Sequence, residues 1–165
     1  VYLGGYGNAY DANVSGAFVW PNGGPVLGAS STNTDIARRV SITFGADTTN
    51  ATPTVVYTDG TTETGKGYIK LLNNSTTQIR IFCLCAVKTA GASVGAISGT
   101  FYATNNGGTI TLTGSFGSAF GSSGFAPSAS LAVDNTNQAV TLTITGVAST
   151  NIRWGINVDL YMLTY

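Results

Sequence analysis

Few residues in this chain of 165 can do acid–base, nucleophilic or metal chemistry. The sequence holds seven acidic and seven basic residues, two cysteines and no histidine. Without histidine it lacks the commonest general base and the commonest metal ligand, so we expect neither a Ser-His-Asp triad nor a zinc site. The balanced charge provides no basic field for nucleic acid or an anionic membrane. We therefore predict no metal, no cofactor and no nucleic-acid partner.

Most of the acidic residues fall in predicted turns, where Asp is favoured because it hydrogen-bonds the nearby backbone. A glycosidase needs two carboxylates facing each other across a cleft. Only Asp159 lies within a predicted strand, two residues from Asn157 and six from Arg153. An ion pair across strands or between subunits explains it better than catalysis. We predict that the protein is not an enzyme. The acids are Asp11, Asp35, Asp47, Asp59, Glu63, Asp134 and Asp159.

Cys83 and Cys85 stand two apart in the alternating run IRIFCLCAV. The spacing places both thiols on one strand face, where free cysteines behave as small buried hydrophobes. A disulfide between them would need distorted geometry, and a metal site would need further ligands. We predict two buried free thiols, which fit assembly in a reducing cytoplasm.

The elements that position these residues are predicted to be strands. Charged residues make up 8% of the chain, against roughly 25% in ordinary soluble domains, and Thr, Gly, Ser and Asn replace them. Apolar residues alternate with polar ones in Gln138–Thr145 and Ile152–Leu163, which indicates half-buried strands. We predict that these two form a pair joined by a turn at Gly146–Asn151, with the second as a central strand.

About eight strands at intervals of roughly 8–12 residues predict an all-β fold, an antiparallel two-sheet β-sandwich that is jelly-roll-like. Residues 1–34 are predicted to be a loop-rich N-terminal arm or small head module, and residues 35–165 the sandwich. The chain starts at Val1 without a signal-like segment, so we expect a mature form or a fragment of a longer protein. No apolar run is long enough to insert in a membrane. The other predicted strands are 36–44, 54–58, 67–72, 76–88, 94–103, 109–116 and 130–133.

Two loops could form a ligand platform of aromatic rings and polar groups. One is the loop Phe116–Pro127 and the other is the hairpin tip Asn105–Gly108. The alternative is that the phenylalanines anchor the loop onto the core. The candidate ligand-binding residues are Phe116, Phe120, Phe125, Asn105 and Asn106.

Two segments could form subunit contacts. The predicted strand Thr76–Lys88 is apolar on both faces, so it lies either inside the sandwich or under a neighbouring subunit. The arm carries large aromatic residues that must pack on something. The candidate interface residues are Tyr6, Tyr10, Trp20, Phe82 and Leu84; the alternatives are an internal core and a self-packed arm.

The order of segments from Arg38 to Thr164 resembles the C-terminal β-sandwich of tail-fibre, tailspike and related virion proteins of tailed bacteriophages. TTNATPT stands before a short strand, a Gly-Gly turn closes a hairpin, and a TG turn precedes an I-x-W strand. The cysteines of CLC depart from the aliphatic or small residues expected there. The matching residues are Thr48, Thr49, Asn50, Ala51, Thr52, Pro53, Gly107, Gly108, Thr145, Gly146, Ile152 and Trp154.

This resemblance implies a virion structural protein that is assembled in the host cytoplasm and exposed on the particle. The expected partners are itself, as a homotrimer, other virion proteins, and a host-surface glycan or protein used in attachment. A capsid decoration or cement protein is one alternative. A secreted carbohydrate-binding module is another, and it should be monomeric, whereas a fibre tip should be oligomeric.

Overall fold

The structure, a computed structural model, describes residues 17–21, 37–56, 68–89, 93–122 and 125–165, with the side chains of 17–21 and 37–38 left out. All regular secondary structure in these ranges is β-strand, so none of them forms a helix long and apolar enough to cross a membrane. The strands are β1 Ala17–Pro21, β2 Ala37–Thr48, β3 Pro53–Val55, β4 Ile69–Lys70, β5 Ser75–Val87, β6 Val94–Asn106, β7 Thr109–Phe116, β8 Phe120–Gly121, β9 Ser128–Asp134, β10 Ala139–Thr145 and β11 Ile152–Thr164.

The strands form two antiparallel sheets, which confirms the predicted all-β sandwich. The larger sheet has seven strands in the order β1-β2-β11-β5-β6-β7, and β8 pairs with β6 beyond the end of β7. The smaller sheet has four strands, with β10 paired to β9 and also to β3 and β4. β1 comes from the predicted arm and pairs with β2 as an edge strand.

The terminal strand β11 is central, as its continuous alternation predicted. It pairs with β2 on one side and with β5 on the other over twelve or more residues. The predicted pairing of β10 with β11 is wrong, because the two strands lie in different sheets. Both present an apolar face to the same core, so the connection through Gly146 crosses between the sheets instead of closing a hairpin.

The hydrophobic core lies between the two sheets and follows the two-residue period of the strands. Trp154, the largest fully buried side chain among the described residues, donates a hydrogen bond from Nε1 to Thr48 Oγ1 at 3.0 Å. Each large side chain buried here stabilises the fold by about 1.5–3 kcal/mol. The larger sheet supplies Val40, Ile42, Phe44, Ile79, Ile81, Cys83, Cys85, Phe101, Ile156, Val158, Leu160 and Met162, and the smaller sheet supplies Ile69, Val140, Leu142 and Ile144.

The predicted hairpin between β6 and β7 is confirmed, with Gly107 and Gly108 as its two-residue loop. Both glycines have positive φ, 59° and 91°. A two-residue hairpin loop of this hand fits the strand twist and favours glycine. The turn fixes the register of β6 on β7, and therefore which side chains of these strands face outward.

Candidate functional site

The face of the larger sheet that points away from the core is its most distinctive surface; we call it the outer face. Strand alternation places on it the polar parity of β11 and its neighbours. Cross-strand register aligns Asp159 of β11 with Arg80 of β5, and Tyr161 with Arg39 of β2. Neighbouring strands lie about 4.8 Å apart, and successive outward residues of one strand about 6.6 Å apart. The sequence thus brings residues distant in the chain into one patch.

An open groove of about 580 Å³ runs over this patch, and we call it the outer-face groove. Side chains from β11 and β5 form its floor, and Thr100 of β6 and Ser115 of β7 lie towards one rim. Its volume is within the range of about 300–1,000 Å³ that small-molecule sites occupy. The residues that give it chemical character are Arg39, Arg80, Phe82, Asn157, Asp159 and Tyr161.

The charges in the groove are incompletely paired. Arg39 Nη2 lies 3.7 Å from Asp159 Oδ1, too long for a hydrogen bond, and the Arg39 guanidinium stacks 5.2 Å from the Tyr161 ring centroid. Asp159 Oδ1 is buried and accepts no hydrogen bond from any described residue. Arg80, directly opposite in the register, makes no hydrogen bond or ion pair within the described part of the chain. An acceptor without a donor therefore lies beside a donor without an acceptor.

A second region of the outer face is apolar, and we call it the apolar strip: Phe82, Leu84, Val94 and Phe120. These side chains are 47–66% exposed. Register places Leu84 beside Gly155, which in turn pairs with Gly45. No atom lies within 4 Å of the position that a Cβ would take at either glycine. The strip therefore adjoins a bare stretch of sheet that another surface could approach closely.

The end of the outer face beyond the strip carries an ion-pair cluster that we call the Asp47 triad. Arg153 donates from Nε to Asp47 Oδ1 at 3.1 Å and from Nη2 to Oδ2 at 3.3 Å, and Lys88 Nζ donates to Oδ2 at 3.0 Å. The hydrogen bonds from Arg153, and then from Lys88, hold the pKa of Asp47 below its usual value. Each charged group of the triad has a hydrogen-bonded partner within the triad, unlike the charged groups of the groove.

Asp47 lies six residues along the register from the row of Asp159, roughly 20 Å away, which is too far for a carboxylate pair of the glycosidase type. Asp134, the other described acid, accepts hydrogen bonds from the backbone and the side chain of Asn137 in a turn, as turn acids were predicted to do. The remaining acids lie outside the described residues. No group of three metal-ligating side chains occurs within the described residues.

The predicted buried thiols are confirmed. Cys83 and Cys85 are free and lie on the inner face of β5. Burial raises the pKa of Cys83 to about 12 and that of Cys85 to about 11. The Cys85 thiol also donates a hydrogen bond to the Gly95 carbonyl at 3.2 Å. Both thiols therefore stay protonated at neutral pH and behave as core residues.

The structure does not bring the five candidate ligand residues into one platform. Phe116 packs edge-on against Phe101 with centroids 5.0 Å apart, and Phe125 packs on the core, so both anchor the loop as in the alternative interpretation. Phe120 is exposed and belongs to the apolar strip. Asn106 is exposed at the hairpin tip. Their role in ligand binding stays a prediction.

The prediction for Asn105 needs correction, because its side chain is fully buried. Its Nδ2 donates to the Leu71 carbonyl at 3.1 Å, and its Oδ1 accepts from the Gly108 amide at 3.1 Å. These bonds tie the hairpin turn to the strand connection below it. The amide therefore has a structural role and presents no surface to a ligand.

Two of the five candidate interface residues can be placed in full. Phe82 and Leu84 are exposed on the outer face, so the alternative that they lie inside the sandwich is wrong. The backbone of Trp20 lies in β1, opposite Arg39. The side chain of Trp20, together with Tyr6 and Tyr10, lies outside the described residues.

Comparison with models of known protein families and with curated protein sequences finds no match. Solved structures that resemble the chain include the tailspike protein gp49 of Acinetobacter baumannii bacteriophage Fri1, a capsular polysaccharide depolymerase, at 13% identity and a TM-score of 0.40. Another is the tailspike protein of Acinetobacter baumannii phage AM24, at 8% identity and a TM-score of 0.38. The matches cover 76% and 74% of this chain but only 18% and 26% of the two tailspikes.

Sequence reasoning missed the outer-face groove. The alternation of β11 predicts its outward polar residues, and Asp159 is the one acid within a predicted strand, although the structure also places Asp47 in β2. What the sequence does not reveal is the strand register that places Arg80 and Arg39 beside Asp159. Those partners come from strands 79 and 120 positions away in the numbering, and alternation within one strand does not reveal them.

Proposed function

We propose that the protein is a structural protein of a bacteriophage virion, acting as the terminal domain of a tail fibre or tailspike that forms trimers and attaches to the host surface. The observation that carries the proposal is the apolar strip, which lies on a sheet face and is exposed among the residues that the structure describes. The order of segments that resembles virion fibre domains supports it. The named phage proteins are similar to this chain in general arrangement only.

The composition of the apolar strip favours a subunit contact. An antiparallel sheet with one solvated face normally alternates apolar-in and polar-out. Phe82 and Leu84 break that rule on β5, and Val94 and Phe120 extend the apolar area across β6 and β8. Contiguous exposed aromatic and aliphatic side chains mark interaction sites. Closed cyclic symmetry would bury this patch in every copy at once, which favours a second copy of this chain as the partner.

The same proposal treats the protein as a binding protein and not as an enzyme. The depolymerase activity belongs to the phage Fri1 neighbour. In this chain the three described carboxylates are separated and serve an ion pair, a salt-bridge cluster and a turn. Attachment would instead use the outer-face groove, whose open shape and polar lining suit a surface glycan.

The test is the mass of the purified chain in solution, measured by light scattering at several concentrations. We expect a persistent species of three times the chain mass of 16.9 kDa. Leu84→Asp should give monomers, because a charge would be buried at the contact. Leu163→Asp is the matched control, since Leu163 is on the same sheet face and is 56% exposed against 54% for Leu84; it should remain trimeric.

A wild-type chain that is monomeric at every concentration would contradict the trimer. It would shift the interpretation to a secreted carbohydrate-binding module or to a cement protein that assembles only on its capsid. Equal dissociation by Leu84→Asp and Leu163→Asp would show that the strip is not the contact. Far-ultraviolet circular dichroism of each variant checks that the sandwich is intact.

A further inference from the structure

The centre of the outer-face groove holds two polar groups whose hydrogen-bonding capacity is unused. Asp159 Oδ1 is buried without a donor, and the Arg80 guanidinium has no acceptor within the described residues. Cross-strand register makes the two residues direct neighbours, about 4.8 Å apart at the backbone. A ligand that binds both Arg80 and the partly exposed Asp159 carboxylate must carry an anionic acceptor and a donor close together.

The side chains around Arg80 and Asp159 indicate which class of ligand the groove suits. The ring of Phe82 lies one outward position along β5 from Arg80, and Tyr161 lies one outward position along β11 from Asp159. Aromatic faces pack on the C–H faces of sugar rings. Asn157 donates from Nδ2 to Ser41 Oγ at 3.3 Å, which fixes its amide at the groove. The lining thus combines apolar rings with fixed polar groups, as ligand sites do.

We infer that the outer-face groove binds an anionic saccharide, whose acidic group is held by Arg80 and whose ring hydroxyl donates to the partly exposed Asp159 carboxylate. The inference rests on the proposed attachment function and names the class of its ligand. A planar guanidinium has donors spaced to bind a carboxylate with two parallel hydrogen bonds. A sugar acid carries its carboxylate and its hydroxyls on one rigid ring, so both groups can bind with little loss of conformational entropy.

Competing interactions at the site are weak. Arg80 and Asp159 form no ion pair with each other within the described residues, and a pair made by a change of rotamer would be weak because the Asp159 side chain is partly exposed, at 26%. Arg39 already stacks on Tyr161 and lies beside Asp159, which orients the carboxylate without supplying it with a hydrogen bond.

The test compares acidic oligosaccharides with neutral partners of the same shape. Oligogalacturonides of four to six sugars and their methyl esters, and sialyllactose and its methyl ester, are titrated into the full chain by calorimetry and saturation-transfer NMR. We expect the acidic member of at least one pair to bind at least tenfold more tightly. Equal affinity for acidic and neutral members, or no binding of either acid at millimolar concentration, would overturn the inference.

Variants locate the site. Arg80→Ala should weaken binding of the acid at least tenfold, and Arg80→Lys should recover only part of the loss because it keeps the charge but not the fork. Arg153→Ala is the matched control, since it removes the same charge from the same face outside the groove. It should change the affinity less than twofold. Similar losses for Arg80→Ala and Arg153→Ala would show attraction by charge alone and refute the site.

The outcomes separate this inference from the proposed function. A monomeric chain that binds acidic saccharides through Arg80 would refute the trimer and leave the groove assignment standing. A trimer that ignores both acids would refute the groove assignment and leave assembly through the apolar strip standing. The oligomer mass and the binding titration are independent measurements on the same sample.

Discussion

Two buried threonines on the inner face of the larger sheet should respond to the same substitution with opposite signs. Thr48 is 4% exposed, and its Oγ1 accepts the hydrogen bond of Trp154 Nε1 at 3.0 Å. Thr77 is fully buried, and its Oγ1 has no partner among the described residues. Valine has nearly the shape of threonine without the hydroxyl, so each Thr→Val change isolates one polar atom.

The two changes in the free energy of unfolding differ because only the Thr48 hydroxyl has a hydrogen-bond partner among the described residues. Thr48→Val leaves the buried indole N–H of Trp154 unpaired, which should lower the free energy of unfolding by about 1–3 kcal/mol. Thr77→Val removes a buried hydroxyl that already lacks a partner, which should raise the free energy of unfolding by about 1 kcal/mol or more. For a chain of this size, each 1 kcal/mol corresponds to a shift in melting temperature of about 2–4 °C.

Urea unfolding at one fixed protein concentration measures both effects, provided that the slope of free energy against urea stays constant. A double-mutant cycle with Trp154→Phe is the control, because Thr48→Val should cost much less once the indole N–H is absent. Destabilisation of similar size by both Thr→Val changes would refute the reasoning. It would mean that the cost lies in packing and not in hydrogen-bond satisfaction.

Three further predictions test the hairpin, the core and the surface charges. Gly114→Ala should lower the melting temperature by several degrees, because Gly114 has φ 121° and an added Cβ would meet the backbone of β6. Gly155→Ala is the control: there is open space at its Cβ position, so it should change the free energy of unfolding by about 0.5 kcal/mol or less. Cys83 and Cys85 should both resist a thiol reagent at pH 8 in the folded protein and react together in denaturant, because burial raises their pKa values to about 12 and about 11; fast labelling without denaturant would refute their burial. Hydrogen bonds from Arg153 and Lys88 lower the folded-state pKa of Asp47. The stabilisation that the ionised Asp47 provides is therefore complete above its unfolded pKa and is lost as pH falls through the lower folded pKa. Asp47→Asn should flatten the acid limb of a plot of melting temperature against pH, and an unchanged limb would contradict this.

The sequence predicts the strands and their inner faces because alternation is a local property. Ile79, Ile81, Cys83 and Cys85 share a parity, and all four are buried. The hairpin was equally readable, since two consecutive glycines after Asn106 suit a loop that needs positive φ. In these cases the residue types at neighbouring positions determine the conformation.

Pairing between distant strands is not readable in this way. Nothing local distinguishes a strand that pairs with its successor from one that crosses to the other sheet, which is why β10 and β11 were expected to pair. The burial of Asn105 was hidden for the same reason. A polar residue at a predicted loop tip is normally exposed, but Leu71 and Gly108 converge there and take up its amide.

The outer parity of β5 itself divides the outer face. It begins polar with Gln78 and Arg80 and turns apolar with Phe82 and Leu84, while the inner parity is apolar after Ser75 and Thr77. A strand that packs only within its own sandwich is expected to stay polar along its whole solvent-exposed side. The change falls at Phe82, which belongs to the apolar strip and also lines the outer-face groove. Assembly through the strip would therefore set the edge of the neighbouring subunit at the edge of the groove, so that each copy presents its groove at a subunit boundary. Saccharide binding and assembly then share one residue, and a partner contact at Phe82 would fix the ring that packs against the sugar.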